Sequence, residues 1–546
     1  MRMIYRDRGP SPLEPEKPGA AGERDSTFGW WGAFSIEKFA DASPLFYTHE
    51  DATGWLAYLQ QFYDRNFWFA DGGVQVWAYE ETYDNWQDRY GMDAVCAVYH
   101  SGHGDMDGNG VFYAPLGAAW DGRTTATSHR MALGNEKCRY IFWSTCFSLR
   151  VLAGHSPIRT WAGPNLGFRM LFGFETTSID HPDYGRKFWD KWRSGQTYCD
   201  AWLNASWDIH KNQAPSVCAV GATQAEAVNR LNTERNFYRD AVSDNWYAWR
   251  WYNAREASLS EQLTTLPEGT QTVELAPRDP SAELARAGQI ASFPSAALEE
   301  VEVDRQGVLS AGSGDRVVST GPLAVRWVRL AEPNTRNTTP LPTEPAIDRA
   351  RAFAEEHADG AELILDSVHD LMQNSGTKDG SEIGTDTTIA THVTFRQAFD
   401  GVSVITPDRG LIRVALDNDG TVVQAQLSTR AVASARREPS SQVAPPQAGG
   451  GGAAAAPAPR DPDEALAAAQ ERLLAELAVR GAEPGADYPS AVAREQRPEV
   501  RDVPGTFQVG YEIEGNEAYP AARKLIEIGP EDGVRTQRWV MAPLAR

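Results

Sequence analysis

The sequence predicts an α/β protein: a mostly parallel sheet with helices on both faces, followed by two smaller units in which a helix packs on an antiparallel sheet. Three observations carry that reading. First, the runs "DAVCAVYH", "KCRYIFWSTC", "FRMLFGFETT" and "SVCAVGAT" are short and continuously apolar, and helical segments separate them. Continuous runs suit strands buried on both faces, as crossover helices require. Second, all five cysteines and 16 of the 18 tryptophans fall before residue 254, after which Ala, Glu, Arg, Pro and Gly dominate. That shift places a boundary near residues 255 to 270. Third, "REPSSQVAPPQAGGGGAAAAPAPRDPDE", residues 437 to 464, is a linker with Pro-stiffened ends and a Gly-flexible centre.

The elements follow in order. Residues 1–26 are charged and Pro-rich and read as a disordered leader. Residues 27–262 hold the parallel-sheet unit, with "EDATGWLAYLQQFYDRN" as a helix and "DYGRKFWDKWRSGQTYCDAWLNASW" as one long amphipathic helix. A connecting segment with some strands covers 263–342. An α+β unit covers 343–433, the linker covers 434–462, and a second α+β unit covers 463–546. In open α/β sheets, functional residues gather where loops leave the carboxyl ends of strands. Both "HSGHG" and "STC" fall at such ends.

Bulk properties narrow the partners. The 546 residues carry a formal charge of −22, which argues against nucleic acid, since that affinity rests on Lys and Arg neutralising phosphates. No segment reads as an export signal or a membrane span. Five thinly spread cysteines fit reduced thiols better than a disulfide framework, so a cytoplasmic setting is expected.

The stretch "AVCAVYHSGHGDMDGNG", residues 94 to 110, admits a metal loop, a catalytic loop or a polar turn. Within it "VCAVYHSGHG" is an apolar strand ending in a His-Gly pair, and "RYIFWSTCFS" is a later apolar strand ending in a cysteine. This order resembles the caspase-like cysteine peptidases of clan CD, among them caspases, metacaspases, gingipains, clostripain and legumain. Tyr99, Ser101, Gly102, His103 and Gly104 match the Tyr-Ser-Gly-His-Gly pattern of metacaspases apart from the inserted His100. Phe147 and Ser148 depart from the usual His-Ser-Gly after the cysteine. The resemblance implies a dyad of His103 and Cys146, with the N–H groups of Gly104 and Cys146 as the oxyanion hole. It requires no cofactor.

The residue types suit that chemistry. A thiolate attacks the peptide carbonyl, and an imidazole that titrates near neutrality passes the proton to the leaving amine. The glycine gives a backbone N–H unobstructed access to the developing oxyanion. Cys96, Cys138, Cys199 and Cys218 lie within apolar surroundings and read as structural thiols. Metacaspases, gingipains and clostripain mostly prefer Arg or Lys before the cleaved bond, so the resemblance implies an acidic pocket residue. Glu175, Asp180 and Asp183, in the loop after "FRMLFGFETT", are its candidates. In "DMDGNG", Asp105, Asp107 and Asn109 take the first, third and fifth positions of an EF-hand-like calcium loop. Leu116 stands where the bidentate Glu belongs, which weighs toward a plain acidic turn over a calcium site.

In the C-terminal half, "TFRQAFDGVSVITPDRGLIRVALDNDGTVVQAQLS" alternates apolar and polar residues, with "LDNDGTV" as a hairpin turn and a helix from Pro345 to His357 before it. It resembles the propeptide domains of thermolysin-like and fungalysin metallopeptidases and their PepSY relatives. A second helix, Pro462 to Arg480, followed by strands from Thr506, repeats the layout. These units imply an intramolecular inhibitory or folding-assistant part. A peptidase with basic preference would also process itself at Arg430, Arg436, Arg437 or Arg460. Two alternatives stay open: a catalytically inactive scaffold for protein interactions, and a ligase passing its acyl group to an amine. A peptide or protein is the expected partner.

Overall fold

The computed structural model describes residues 2–5, 8–14, 28–255, 263–267, 270–313, 316–321, 325–435, 461–481, 499–529 and 536–544. It is a mixed α/β structure built on a 17-stranded sheet. Among the described residues, parallel pairing in that sheet is confined to seven strands: Phe67–Ala70, Trp31–Ser35, Ala97–Ser101, Tyr140–Ser144 and Met170–Phe174 run side by side, and Arg2–Tyr5 joins Glu300–Val303. Beyond Met170–Phe174 the direction reverses. Pro215–Gly221 and Trp246–Ala254 are antiparallel, so the run "SVCAVGAT" is a buried strand of the opposite sense.

The sheet does not stop at the change in composition. Trp246–Ala254 pairs with Glu362–Thr377, which pairs with Thr387–Phe399, then Leu411–Leu416, Val422–Leu427 and Arg326–Arg329. Backbone ladders join any two extended edges whatever their side chains, so composition alone does not mark where pairing ends. The helix Thr343–His357 packs on this extension through Ala346, Ile347, Ala350 and Ala354. Leu411–Leu416 and Val422–Leu427 form the hairpin expected around "LDNDGTV", closed by the Gly420 N–H on the Asp417 carbonyl.

A separate six-stranded sheet centres on Glu517–Gly529, flanked by Gln508–Glu514 and Thr536–Pro543. The helix Pro462–Gly481 covers it through Ala465, Leu466 and Leu477. The stretches read as a leader and a linker lie mostly outside the described residues. Two pieces of the leader are nevertheless placed: Arg2–Tyr5 in the sheet, and Leu13, buried in the core while the neighbouring Pro12 carbonyl accepts the Phe237 N–H.

Alternation along the parallel strands splits the core into two faces. Trp31, Tyr99, Phe142 and Phe172 face the helices Thr48–Leu59, Tyr184–Arg193 and Tyr198–Ile209. Phe34, Val98, Trp143 and Leu171 face the other side, where the short helix Pro157–Trp161 and the strands Phe112–Trp120 and Arg123–Thr127 lie. The long helix expected from Asp183 to Trp207 is two helices. Gly195, at φ +103°, breaks it, and the Thr197 hydroxyl caps the second by accepting the Asp200 N–H at 3.1 Å.

Helix Thr48–Leu59 has no side-chain cap; packing holds it instead. Trp55 is fully buried against Tyr99, Phe142 and Trp189, worth on the order of 5 kcal/mol for a side chain of that area. A buried ion network ties the second helix to the sheet extension: Asp208 meets Arg413 at 2.7 Å and Lys191 at 2.5 Å. The two cations hold the Asp208 carboxyl far below its ordinary range despite burial.

Candidate active site

The parallel register brings the two predicted catalytic residues together. Ser101 pairs with Ser144 at the carboxyl ends of adjacent strands, and the same offset of 43 positions separates His103 from Cys146. Each therefore lies two residues beyond a paired strand end. His103 and Cys146 line one cavity of about 30 Å³, with Asp51, Ser101, Ser144, Ser178, Asp180, His181 and Thr536 among its other walls. That volume holds one or two waters, so a peptide enters only if a wall moves.

The loops touch closely behind the cavity. A Cβ on Gly104 would lie 2.6 Å from the Cys146 carbonyl oxygen, 2.8 Å from the Phe112 ring and 2.9 Å from the Thr145 hydroxyl. Only glycine fits there. Among the described residues no acceptor takes the Gly104 N–H. The residue after the cysteine, Phe147, adopts φ +54°, a left-handed conformation costly for a bulky side chain and common where strain is kept at a functional turn. Its N–H is used by the Thr176 carbonyl at 3.0 Å.

Hydrogen bonds assign the His103 tautomer. His103 Nε2 lies 2.9 Å from the Ser43 carbonyl. A carbonyl only accepts, so Nε2 carries the proton and the Nδ1 lone pair is left as the base. Burial lowers the His103 pKa, opposed by the Ser43 bond and the charge of Asp180. Cys146 is the cysteine with partial exposure; the other four are buried. Dense protein around its sulfur nonetheless pushes the thiol up, opposed by bonds from Ser178. Ser178 donates its N–H to the sulfur at 3.3 Å. No hydrogen bond joins His103 to Cys146 among the described residues, and burial favours the uncharged form of each. His100, by contrast, is fully buried on Tyr79 and belongs to the core.

The three acidic candidates part company. Glu175 accepts N–H bonds from Val151 and Leu152 and pairs with Arg150; it clamps a loop. Asp183 pairs with Arg186 one turn on, at 2.9 Å. Asp180 alone of the three lines the cavity. Asp107 spends its carboxylate on its own turn, accepting the N–H groups of Asn109 and Val111 at 2.8 and 2.9 Å and the Tyr113 hydroxyl at 3.1 Å. Asp105 likewise accepts the Met106 N–H. "DMDGNG" is a turn between Asp105–Met106 and Phe112–Trp120, and no group of three His, Cys, Asp or Glu among the described residues is arranged to hold a metal.

Three groups at the site escaped sequence reasoning. Asp51, from helix Thr48–Leu59, sits under the cavity and accepts from the Tyr99 hydroxyl, the Ser101 hydroxyl and the Gly185 N–H. Burial raises its pKa to about 7 against those bonds. Its neighbours give an ordinary acidic first helical turn, so nothing local marked it. Ser43 comes from the loop before that helix. Arg538, from the C-terminal sheet, pairs with Asp180 at 2.5 Å, both side chains almost fully buried; no local pattern links residues so distant in sequence.

One other arrangement has the atom order of a hydrolytic triad: Ser35 Oγ to His49 Nδ1 at 2.8 Å and His49 Nε2 to Asp71 at 3.4 Å. Ser35 is fully buried and takes the Trp68 indole N–H at 2.9 Å. No substrate reaches that hydroxyl, so the row joins strand to helix.

No helix among the described residues is long and apolar enough to cross a membrane. No curated protein matches the chain. A family model described as a domain of unknown function, DUF6345, matches residues 31–252, a span that contains the parallel strands, His103 and Cys146 and leaves out the C-terminal sheet.

Proposed function

We propose that the chain is a caspase-like cysteine peptidase with Cys146 as nucleophile and His103 as general base and acid. The observation that carries this is the shared register: adjacent parallel strands deliver both residues, two positions past their ends, to one cavity beside an unused Gly104 N–H. His103 takes the thiol proton at Nδ1 as the sulfur attacks the substrate carbonyl carbon. The Gly104 N–H stabilises the oxyanion. His103 then gives the proton to the departing amine as the C–N bond breaks, and water hydrolyses the thioester, its proton passing through the same imidazole. Once released from Arg538, Asp180 supplies negative charge in the cleft and favours a basic side chain before the scissile bond. The Cys146 N–H lies against its own sulfur at rest, so its part in the oxyanion hole requires the side chain to turn during attack.

Cleavage of peptidyl-arginine amides by the full chain tests this. Turnover vanishes in Cys146→Ala and falls by about 10² to 10⁴ in His103→Ala, the usual worth of a positioned acid–base group. A peptidyl-arginine acyloxymethyl ketone labels Cys146 in preference to the other four thiols. Absence of labelling in both the wild-type chain and Arg538→Met overturns the peptidase reading and leaves a scaffold.

A further inference from the structure

The pairing of Asp180 with Arg538 joins a buried carboxylate and two aromatic rings around one guanidinium. Asp180 also accepts the N–H groups of Phe46 and Tyr47 at 2.8 and 3.2 Å, so its carboxylate is held rigidly. The Arg538 guanidinium carbon lies 4.7 Å from the Phe46 ring centroid and 4.2 Å from that of Tyr47. One carboxylate and two aromatic faces make a box that selects a flat cation. Yet Arg538 fits it incompletely. Its Nη2 meets Asp180 at 2.5 Å, while Nε and Nη1 are buried without a partner among the described residues. A guanidinium that matched the carboxylate fully would be held by two parallel hydrogen bonds; this one leaves two donors for which a better-placed guanidinium would find acceptors.

The box opens on the candidate active site. Asp180 lines the same cavity as His103 and Cys146, and so does Thr536, two residues before Arg538. Residues i and i+2 of a strand share a face, and Thr536, Arg538, Val540 and Ala542 are the buried side of Thr536–Pro543. One face of this strand thus packs in its own sheet at one end and closes the cleft at the other. The strand lies outside the segment matched by the family model.

We propose that Phe46, Tyr47 and Asp180 form a guanidinium-binding subsite of the cleft, and that the C-terminal strand Thr536–Pro543 holds the enzyme closed by filling that subsite with its own Arg538. The proposal rests on the peptidase reading for the use of the site. It names the ligand class as peptides presenting arginine: lysine meets the carboxylate but lacks the plane that stacks on two rings. Arg430 does not compete for this role, since its guanidinium is bound to the Gly515 and Ala276 carbonyls and to Asn516.

The test uses the full chain as wild type, as Arg538→Met, which keeps the length of the apolar stem, and as Arg538→Met/Asp180→Asn. Arg538→Met is labelled at Cys146 by the peptidyl-arginine acyloxymethyl ketone at least tenfold faster than wild type. The matched alanine probe gains less, and the double variant loses the difference between probes. Benzamidine, a flat cation, raises the melting temperature of Arg538→Met but not of wild type or the double variant. Equal labelling of Cys146 in wild type and Arg538→Met overturns the closure while leaving the peptidase standing. Benzamidine binding without labelling by any probe retains the subsite and overturns the peptidase. If Arg538→Met does not fold, Arg538→Lys carries the same test, with faster arginine-probe labelling expected and an unchanged rate refuting the closure.

Discussion

Gly104→Ala puts the contact between the loops that carry His103 and Cys146 to a quantitative test. The added Cβ would stand 2.6 Å from the Cys146 carbonyl oxygen, 2.8 Å from the Phe112 ring and 2.9 Å from the Thr145 hydroxyl. The ring and hydroxyl can yield by small rotations, whereas the carbonyl belongs to a peptide whose other end, the Phe147 N–H, is fixed on the Thr176 carbonyl at 3.0 Å. To restore ordinary contact the loops must part by about 0.8 Å, and overpacking of this kind costs about 1–3 kcal/mol. The same shift moves the Gly104 N–H away from the oxyanion, a loss comparable to removing one donor, about 10² to 10³ in kcat. Gly108→Ala, four residues on, has nothing within 4 Å of its added Cβ and serves as the control. Thermal melting and turnover of peptidyl-arginine amide, each measured beside the control, read the two effects separately. If Gly104→Ala melts and turns over like Gly108→Ala, the close approach of the loops is wrong.

Two further outcomes concern pH. Burial raises the Asp51 pKa from 3.8 to about 7, so the folded state holds a proton that the unfolded chain releases above about pH 4. Stability from this group is present at low pH and lost as pH rises toward 7, by up to about 4 kcal/mol at 1.36 kcal/mol per unit. Denaturation of wild type and Asp51→Asn at pH 4 and pH 8 should show the wild type losing ground to the variant by that order, and a constant difference would count against a protonated Asp51. His392, fully enclosed and stacked at 4.8 Å on His369, has its pKa lowered by burial to about 3. Here the unfolded chain binds the extra proton, so stability is intact above pH 6.5 and declines as pH falls below it. His392→Leu should therefore gain on the wild type by about 2 kcal/mol between pH 7 and pH 5; no gain would mean that the imidazole reaches water.

The strand ends carrying the candidate site were legible because apolar patterning is local. Each run such as "VCAVYH" or "RYIFWS" reports its own burial, and the polar residues that end it mark where a loop begins. The helix break at Gly195 was missed since the aromatic spacing on either side fits one helical face, and a single glycine is often tolerated within a helix. Glu175 and Asp180 looked alike as acids of one loop. Which carboxylate clamps a neighbouring turn and which faces the cavity depends on segments that the loop sequence does not contain.

Sequence by itself determined the mixed α/β class, the apolar strands and the placement of His103 and Cys146 just past two of them, because these follow from the burial needs of each short segment. Tertiary structure alone decided that the sheet continues from Trp246–Ala254 into Glu362–Thr377, that burial beneath the cavity raises the Asp51 pKa, and that Arg538 lies against Asp180 across 358 positions of chain. Those outcomes rest on pairings between distant segments, where a backbone edge or a buried charge takes whichever partner the folded chain brings within reach.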